Sequence, residues 1–187
     1  MKLNKIMMAA VLAFGATSMM AQAAVKNQGS GTVTFKGAII DAPCSITPET
    51  EDQTVSLGQI SNVALKDGGQ STPKNFQIKL ENCELSAGSG TPVVGKNNAV
   101  SITFSGASSV DDNNLLGITG TAKGAGIAIT DGSGKLIELG KASSAQTLQN
   151  GNNTLSFAAY LQGSKASGAV VTPGEFQSVA DFTLAYQ

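Results

Sequence analysis

Histidine, tryptophan and arginine are all absent from the sequence. Without histidine the chain can form neither a Ser-His-Asp triad nor a histidine metal site. Aromatic residues make up only 5% of the chain and charged residues only 13%. The basic surface that nucleic-acid binding requires is also missing. The composition therefore predicts no enzyme, no cofactor, no metal site and no nucleic-acid partner.

One short pattern resembles an enzyme motif. Residues 71–74 read Ser-Thr-Pro-Lys and match the S-x-x-K motif of serine β-lactamases. The companion motifs S-D-N and K-T-G are missing, and the surrounding sequence has no helical periodicity. Three short Gly-x-Gly stretches, at residues 88–90, 124–126 and 132–134, complete neither a dinucleotide-binding loop nor a phosphate-binding loop. These segments are interpreted as loops and turns.

The N-terminal residues have the pattern of a secretory signal. Lys2 and Lys5 precede an apolar stretch over residues 6–15, and residues 21–23 read Ala-Gln-Ala, an A-x-A cleavage site. This pattern predicts a signal peptide over residues 1–23 and a mature chain that begins at Ala24. The apolar stretch is too short for a membrane span and no second one follows, so no stable membrane insertion is predicted.

The predicted mature chain has 164 residues, which is the length of about one domain. Loss of the two N-terminal lysines leaves ten lysines against thirteen acidic residues. Cys44 and Cys83 are the only cysteines, and the oxidising compartment of an exported chain favours a disulfide between them. Closing a loop of about 40 residues would stabilise the fold by about 4 kcal/mol. The alternative, a metal site with two cysteines, has no histidine to complete it.

Short stretches of alternating apolar and polar residues recur along the chain, separated by turns rich in glycine, asparagine or aspartate. A short helical turn is predicted only near residues 62–66. The pattern is typical of an all-β sandwich. The apolar residues of the predicted strands are Val33, Phe35 and Ile39; Val55 and Leu57; Phe76, Ile78 and Leu80; Val100, Ile102 and Phe104; Ile127 and Ile129; Leu136, Ile137 and Leu139; Leu155, Phe157, Ala159 and Leu161; and the even-numbered residues 176–186 except Ser178, which lies on the same face.

The two ends of the predicted mature chain differ from the rest. The first strand-like segment, residues 31–44, has an apolar stripe that is interrupted by Gly37, and a glycine within a strand often marks a close approach of another chain. The final strand, residues 176–186, is predicted to be the longest and to leave one edge uncovered. A strand donated by another chain is one way to cover such an edge. The alternative is an ordinary first strand with a bulge at Gly37.

Four stretches occur together and span most of the chain. They are GTVTFKGAIIDAPCSI at residues 31–46, the cysteine pair with LENC at residues 80–83, LQNGNNTLSFAAYL at residues 148–161 and GEFQSVADFTLAYQ at residues 174–187. With these stretches the sequence resembles the chaperone–usher pilins, and among them the major shaft subunits of the P-pilus and type 1 pilus kind. The resemblance implies an incomplete immunoglobulin-like β-sandwich that lacks its last strand and is completed by a donor strand. It also implies a donor-strand extension at residues 24–40 and a pilin domain at residues 41–187.

The resemblance further implies which residues contact other molecules. Val33, Phe35, Gly37 and Ile39 would form the donor strand, with Gly37 at a shallow point of the acceptor groove. The groove, which would also contact the chaperone, would include Gly174, Phe176, Ala180, Phe182, Leu184, Tyr186 and Gln187. The implied partners are neighbouring copies in a head-to-tail homopolymer, a periplasmic pilus chaperone and an outer-membrane usher.

The predicted function is that of a structural subunit of a pilus shaft that supports adhesion. The subunit would be exported through the periplasm to the surface fimbrium of a Gram-negative bacterium. One alternative is a minor or adaptor pilin, and another is a secreted carbohydrate-binding β-sandwich. Sugar sites favour exposed aromatic side chains, and this chain has only two tyrosines.

Overall fold

Strands dominate the computed structural model, which describes residues 30–85 and 98–187. Two short helices, α1 (Pro48–Glu51) and a 3-10 helix (Asn62–Gly68), follow the first strand. The predicted signal peptide and residues 24–29 lie outside the described residues. The strands are β1 (Ser45–Ile46), β2 (Lys74–Cys83), β3 (Ala99–Ser105), β4 (Leu116–Gly117), β5 (Thr119–Gly120), β6 (Ala125–Asp131), β7 (Leu136–Ile137), β8 (Gln146–Thr147), β9 (Gly151–Gly163), β10 (Phe176–Gln177) and β11 (Asp181–Tyr186).

The strands form two main sheets. The larger sheet has the spatial order β1-β2-β9-β6-β4, with β7 beside β6, and the second has the order β11-β3-β8. Strands β5 and β10 form a separate two-stranded ladder. All these strand pairs are antiparallel. The prediction of an all-β fold is confirmed, and so is the short helical turn near residues 62–66.

Side chains from both main sheets meet in one buried cluster. Phe76 on β2 and Phe157 on β9 lie opposite each other in register, with ring centroids 5.5 Å apart. Phe104 on β3, in the second sheet, packs edge-to-face against Phe157 at 5.5 Å. Because alternate residues of a strand point to the same face, the apolar stripes of β2, β3 and β9 all turn toward this cluster.

The disulfide between Cys44 and Cys83 joins the residue before β1 to the last residue of β2. The two Cα atoms are 4.1 Å apart, and both side chains are buried. The predicted pairing is therefore confirmed. The short strand β1 has only two residues in its ladder with β2, so this covalent link holds the beginning of the domain against a much longer strand.

The C-terminal segment differs from the prediction of one long strand over residues 176–186. It forms two strands, because β10 pairs with β5 whereas β11 pairs with β3 in another sheet. Ser178 lies between them, and its hydroxyl donates a hydrogen bond of 2.6 Å to the Gly117 carbonyl. The inward–outward alternation continues through the break, so periodicity alone did not reveal it. The longest strand is β9, with thirteen residues.

Two other predicted strands are absent from the described residues. Residues 53–61 have no strand structure, although Val55 and Leu57 are half-buried as their alternation indicated. Residues 31–44 also contain no strand. Their side chains Val33, Phe35 and Ile39 are 75%, 89% and 105% exposed. Residues 30–39 belong to a separate unit from Ile40–Gln187.

Candidate functional site

A groove of about 1450 Å³ opens in the unit formed by Ile40–Gln187. Its lining comes from residues 51–62, which run from the end of α1 to the start of the 3-10 helix, from residues 171–182, and from apolar side chains of several strands. A space of this size and composition can hold an extended apolar segment of several residues. The apolar lining residues on the strands are Ile46, Phe76, Ile78, Phe104, Leu116, Ala125, Ile127, Ile129, Ala159, Leu161, Phe176 and Phe182.

One edge of β11 has no strand partner among the described residues. The other edge pairs with β3 over the whole strand, from Asp181 opposite Ser105 to Tyr186 opposite Val100. Even-numbered residues of β11 are half-buried and odd-numbered residues are exposed. The free edge therefore offers backbone N–H and C=O groups next to a row of partly buried apolar side chains. That combination suits the addition of one more strand.

Four of the seven predicted acceptor residues line the groove: Gly174, Phe176, Ala180 and Phe182. Gly174 packs so tightly that a Cβ atom on it would overlap Thr121 Oγ1 and lie 2.6 Å from the Ala122 nitrogen. The nearby backbone N–H of Glu175 donates a hydrogen bond of 3.0 Å to Thr121 Oγ1. Glycine at 174 thus lets residues 171–178 lie close to the chain around Thr121.

The other three predicted acceptor residues lie outside the lining of this groove. Leu184 and Tyr186 line a smaller cavity of about 590 Å³ together with Asp41, Pro43 and Glu84. Burial raises the pKa of the Tyr186 hydroxyl above its ordinary value. Gln187 is exposed, and its backbone N–H and C=O each form a hydrogen bond with the backbone of Ala99, at 3.0 and 3.1 Å.

The four predicted donor residues lie in the exposed segment before Ile40. Val33, Phe35 and Ile39 expose large apolar side chains to solvent. A Cβ atom on Gly37 would meet nothing within 4 Å. Their assignment as a donor strand stays a prediction.

Part of the groove lining is not predicted from the sequence. Val55, Leu57 and Ile60 are half-buried and line the groove, together with Leu65 in the 3-10 helix. The alternation of Val55 and Leu57 predicts a strand, and residues 62–66 are predicted as a helical turn. The apolar signal was therefore visible in the sequence, but it does not show which cavity these side chains enter.

The charged residues in the groove lining are mostly acidic. They are Glu51, Asp52, Glu175 and Asp181, with Lys123 as the one cation among them. Within residues 30–85 and 98–187 the ion pair Lys141–Glu138 is the only one, so none of these four carboxylates is paired there. The same part of the chain contains no group of three or more His, Cys, Asp or Glu residues placed to hold a metal ion. No helix in these two ranges is long and apolar enough to cross a membrane.

Comparison with known proteins identifies the family. A model of the family described as Fimbrial protein matches residues 33–187. The chain belongs to this family. This pilin is 59% identical over 187 residues to the Fimbria A protein of Serratia marcescens, and the match covers 100% of both chains.

Solved structures agree with this result. A subunit in the structure of a chaperone–usher pilus matches with a TM-score of 0.75 and 36% identity, covering 88% of this chain and 100% of that one. The P pilus rod subunit PapA matches with a TM-score of 0.68 and 37% identity, covering 78% and 100%. The resemblance to chaperone–usher pilins is confirmed. The fold is the incomplete immunoglobulin-like sandwich of these pilins, and the chain is a fimbrial subunit of the shaft type.

Proposed function

We propose that this pilin is the repeating subunit of a pilus shaft and that it polymerises head to tail by donor-strand exchange. The main support for this proposal is the open groove beside the edge of β11 that has no strand partner among the described residues. The same chain has an exposed apolar segment, with Val33, Phe35 and Ile39 at alternating positions. In the proposal this segment of one copy fills the groove of the next.

The physical gain comes from covering apolar surface on both partners. Burial of Val33, Phe35 and Ile39 contributes about 1.5–3 kcal/mol for each side chain before entropic costs. The backbone of the inserted strand also satisfies hydrogen-bonding groups along the free edge of β11. Since donor and acceptor are different surfaces of the same chain, the contact does not close on itself, and repetition produces a filament.

Export uses the same acceptor surface in this proposal. A periplasmic chaperone first occupies the groove and contacts Gly174, Phe176, Ala180, Phe182, Leu184 and Tyr186. The carboxylate of Gln187 is bound by basic residues of that chaperone. An outer-membrane usher then replaces the chaperone strand with the extension of the next subunit. The assembled fimbrium lies on the surface of a Gram-negative cell and supports adhesion, and the subunit acts as a structural protein rather than as an enzyme.

The decisive experiment compares two purified proteins, residues 24–187 and residues 41–187. Each is refolded and run unboiled on an SDS gel. A ladder from residues 24–187 alone is expected, because only that protein contains both donor and groove. Two SDS-stable monomers would contradict the proposal, since the sandwich would then be complete without a donor. A self-contained binding module would become the better hypothesis.

A further inference from the structure

Apolar alternation alone would allow an inserted donor strand to occupy more than one register in the groove. Its apolar residues lie at every second position, and so do the half-buried residues from Phe176 to Tyr186. A shift of two residues therefore keeps the same faces turned inward. Apolar burial specifies the face of the donor strand, and within that face only the small Gly37, predicted to lie at a shallow point of the groove, distinguishes one register from the next.

The outward faces of the two segments each carry one charge. On the donor the outward residues are Thr32, Thr34, Lys36 and Ala38, of which only Lys36 is charged. Along residues 176–187 the exposed positions are the odd-numbered ones, and only Asp181 has a charged side chain, while Gln187 carries the terminal carboxylate six residues farther along. Asp181 has no cation within ion-pair distance in residues 30–85 and 98–187. The two side chains are opposite in charge, and each is the only charged side chain on its face within residues 32–38 and 176–187.

Antiparallel pairing brings these charges together in one register. All strand pairs among β1–β11 are antiparallel, and we take the donor to follow the same rule. With Lys36 opposite Asp181, the small Gly37 lies opposite Ala180 and Phe35 lies opposite Phe182. A slip of two residues would place Lys36 opposite Val179 or Thr183, where it has no charged partner across the ladder.

We propose that Lys36 of one copy pairs with Asp181 of the next copy and that this cross-strand ion pair, together with Gly37 opposite Ala180, sets the register of the inserted strand. The inference rests on the proposed donor-strand function. The unpaired carboxylates of Glu51, Asp52 and Glu175 in the groove lining add a negative field that attracts the same lysine during approach. Lys36 and Asp181 are thus specificity-determining residues for self-assembly.

Zero-length cross-linking tests the contact directly. Polymer is assembled from an equal mixture of unlabelled and ¹⁵N-labelled mature chains and treated with a carbodiimide, which joins a lysine amine to an adjacent carboxylate. The expected product is a peptide pair that links Lys36 to Asp181 and includes mixed-isotope species. Polymer made from Asp181→Asn chains serves as the control and should lose this product.

The outcomes separate the two proposals. If the wild-type mature chain forms no polymer, or the Lys36–Asp181 link contains only one isotope, head-to-tail exchange is wrong. If polymer forms but Lys36 links to Glu51, Asp52 or Glu175, or to no carboxylate, only the register assignment is wrong.

Charge exchange provides a second measurement. Lys36→Asp or Asp181→Lys alone should slow polymerisation about two- to fivefold, because like charges then face each other across the ladder. The double variant should recover the wild-type rate. Asp111→Lys makes the same charge change in an exposed loop and should have no effect. Equal slowing by the loop variant, or no recovery in the double variant, would overturn the pairing.

Discussion

Gly163, the last residue of β9, lies directly against the carbonyl group of Leu65 in the 3-10 helix. A Cβ atom on Gly163 would overlap the Leu65 oxygen and lie 2.8 Å from its carbonyl carbon. The backbone N–H of Gly163 also donates a hydrogen bond of 2.9 Å to the Gly69 carbonyl. Leu65 is buried with Ala125 and Leu161 in a second apolar cluster. The glycine thus lets one part of the groove lining pack closely on the central strand.

Replacement of this glycine should destabilise the fold. Gly163→Ala is expected to lower the free energy of unfolding by about 1–3 kcal/mol, because the backbone at Leu65 must move away. Guanidinium denaturation of the refolded mature chain measures the change. Gly132→Ala is the matched control, since its Cβ atom would make only ordinary contacts, the nearest at 3.4 Å. If both substitutions lowered the free energy of unfolding equally, the close approach of Gly163 to Leu65 would not explain the effect of Gly163→Ala.

Removal of the disulfide should have a larger effect. The double variant Cys44→Ala, Cys83→Ala opens a loop with a sequence separation of 39 residues and leaves no free thiol. The loop-entropy argument predicts a loss of about 4 kcal/mol in the free energy of unfolding. The denaturation midpoint, compared with that of the oxidised wild type, provides the measurement. A loss below about 1 kcal/mol would contradict the loop-entropy argument.

Gly37→Asn should affect polymerisation and leave the monomer intact. A Cβ atom on Gly37 meets nothing within 4 Å, so the substitution introduces no clash within the chain. In the proposed polymer it would collide with the neighbouring groove, and SDS-resistant ladders should be lost. Ala38→Asn introduces the same side chain on the outward face and should polymerise normally. Fibres of normal length from the Gly37 variant would argue against its proposed place in the groove.

Tyr186→Ala should weaken capture by the chaperone. Its half-buried ring is the last apolar residue of β11, and loss of the ring removes part of the proposed docking surface. The yield of the periplasmic chaperone–pilin complex is the measurement. Tyr160→Ala is a suitable control, because Tyr160 lies on β9 and outside the groove lining. An undiminished complex with the Tyr186 variant would place chaperone docking elsewhere.

The stability of the turn between β6 and β7 depends on the protonation of Asp131 and therefore on pH. The Ser133 hydroxyl donates a hydrogen bond of 2.6 Å to Asp131 Oδ1, and this bond is the largest cause of the lowered pKa of Asp131. The backbone N–H groups of Ser133 and Lys135 donate to the same oxygen, at 2.9 and 3.0 Å. A lowered pKa stabilises the folded turn above the ordinary aspartate value, and this contribution is lost as the pH falls through the lowered pKa.

Ser133→Ala should therefore raise the pKa of Asp131 toward its ordinary value. NMR titration of the Asp131 carboxyl carbon in the wild type and the variant measures the shift. Ser144→Ala is the control, because Ser144 accepts a hydrogen bond from Lys135 Nζ and has none with Asp131. An unchanged Asp131 pKa in the Ser133 variant would assign the lowering to the backbone N–H groups of Ser133 and Lys135 and to the positive charge of Lys135.

Much of the fold follows from local patterns in the sequence. Alternation at Phe76, Ile78 and Leu80 predicts the inward face of β2, and the same rule holds for β3 and for most of β9. Strand β6 is buried on both faces, so its burial does not alternate. The cysteine pairing follows from the even count and the exported context. The four stretches that carry the resemblance identified the pilin family before any geometry was known.

Tertiary structure decided the partner of each strand. Alternation from Phe176 to Tyr186 is continuous, yet Phe176 pairs with Gly120 and Asp181 pairs with Ser105 in different sheets. Val55 and Leu57 line the groove without forming a strand, and Leu184 and Tyr186 line a separate cavity. The physical reason is that the alternation of apolar and polar residues shows only which face of a strand is apolar. The choice of neighbour instead depends on hydrogen bonds and close packing between residues far apart in the chain, such as Gly163 and Leu65.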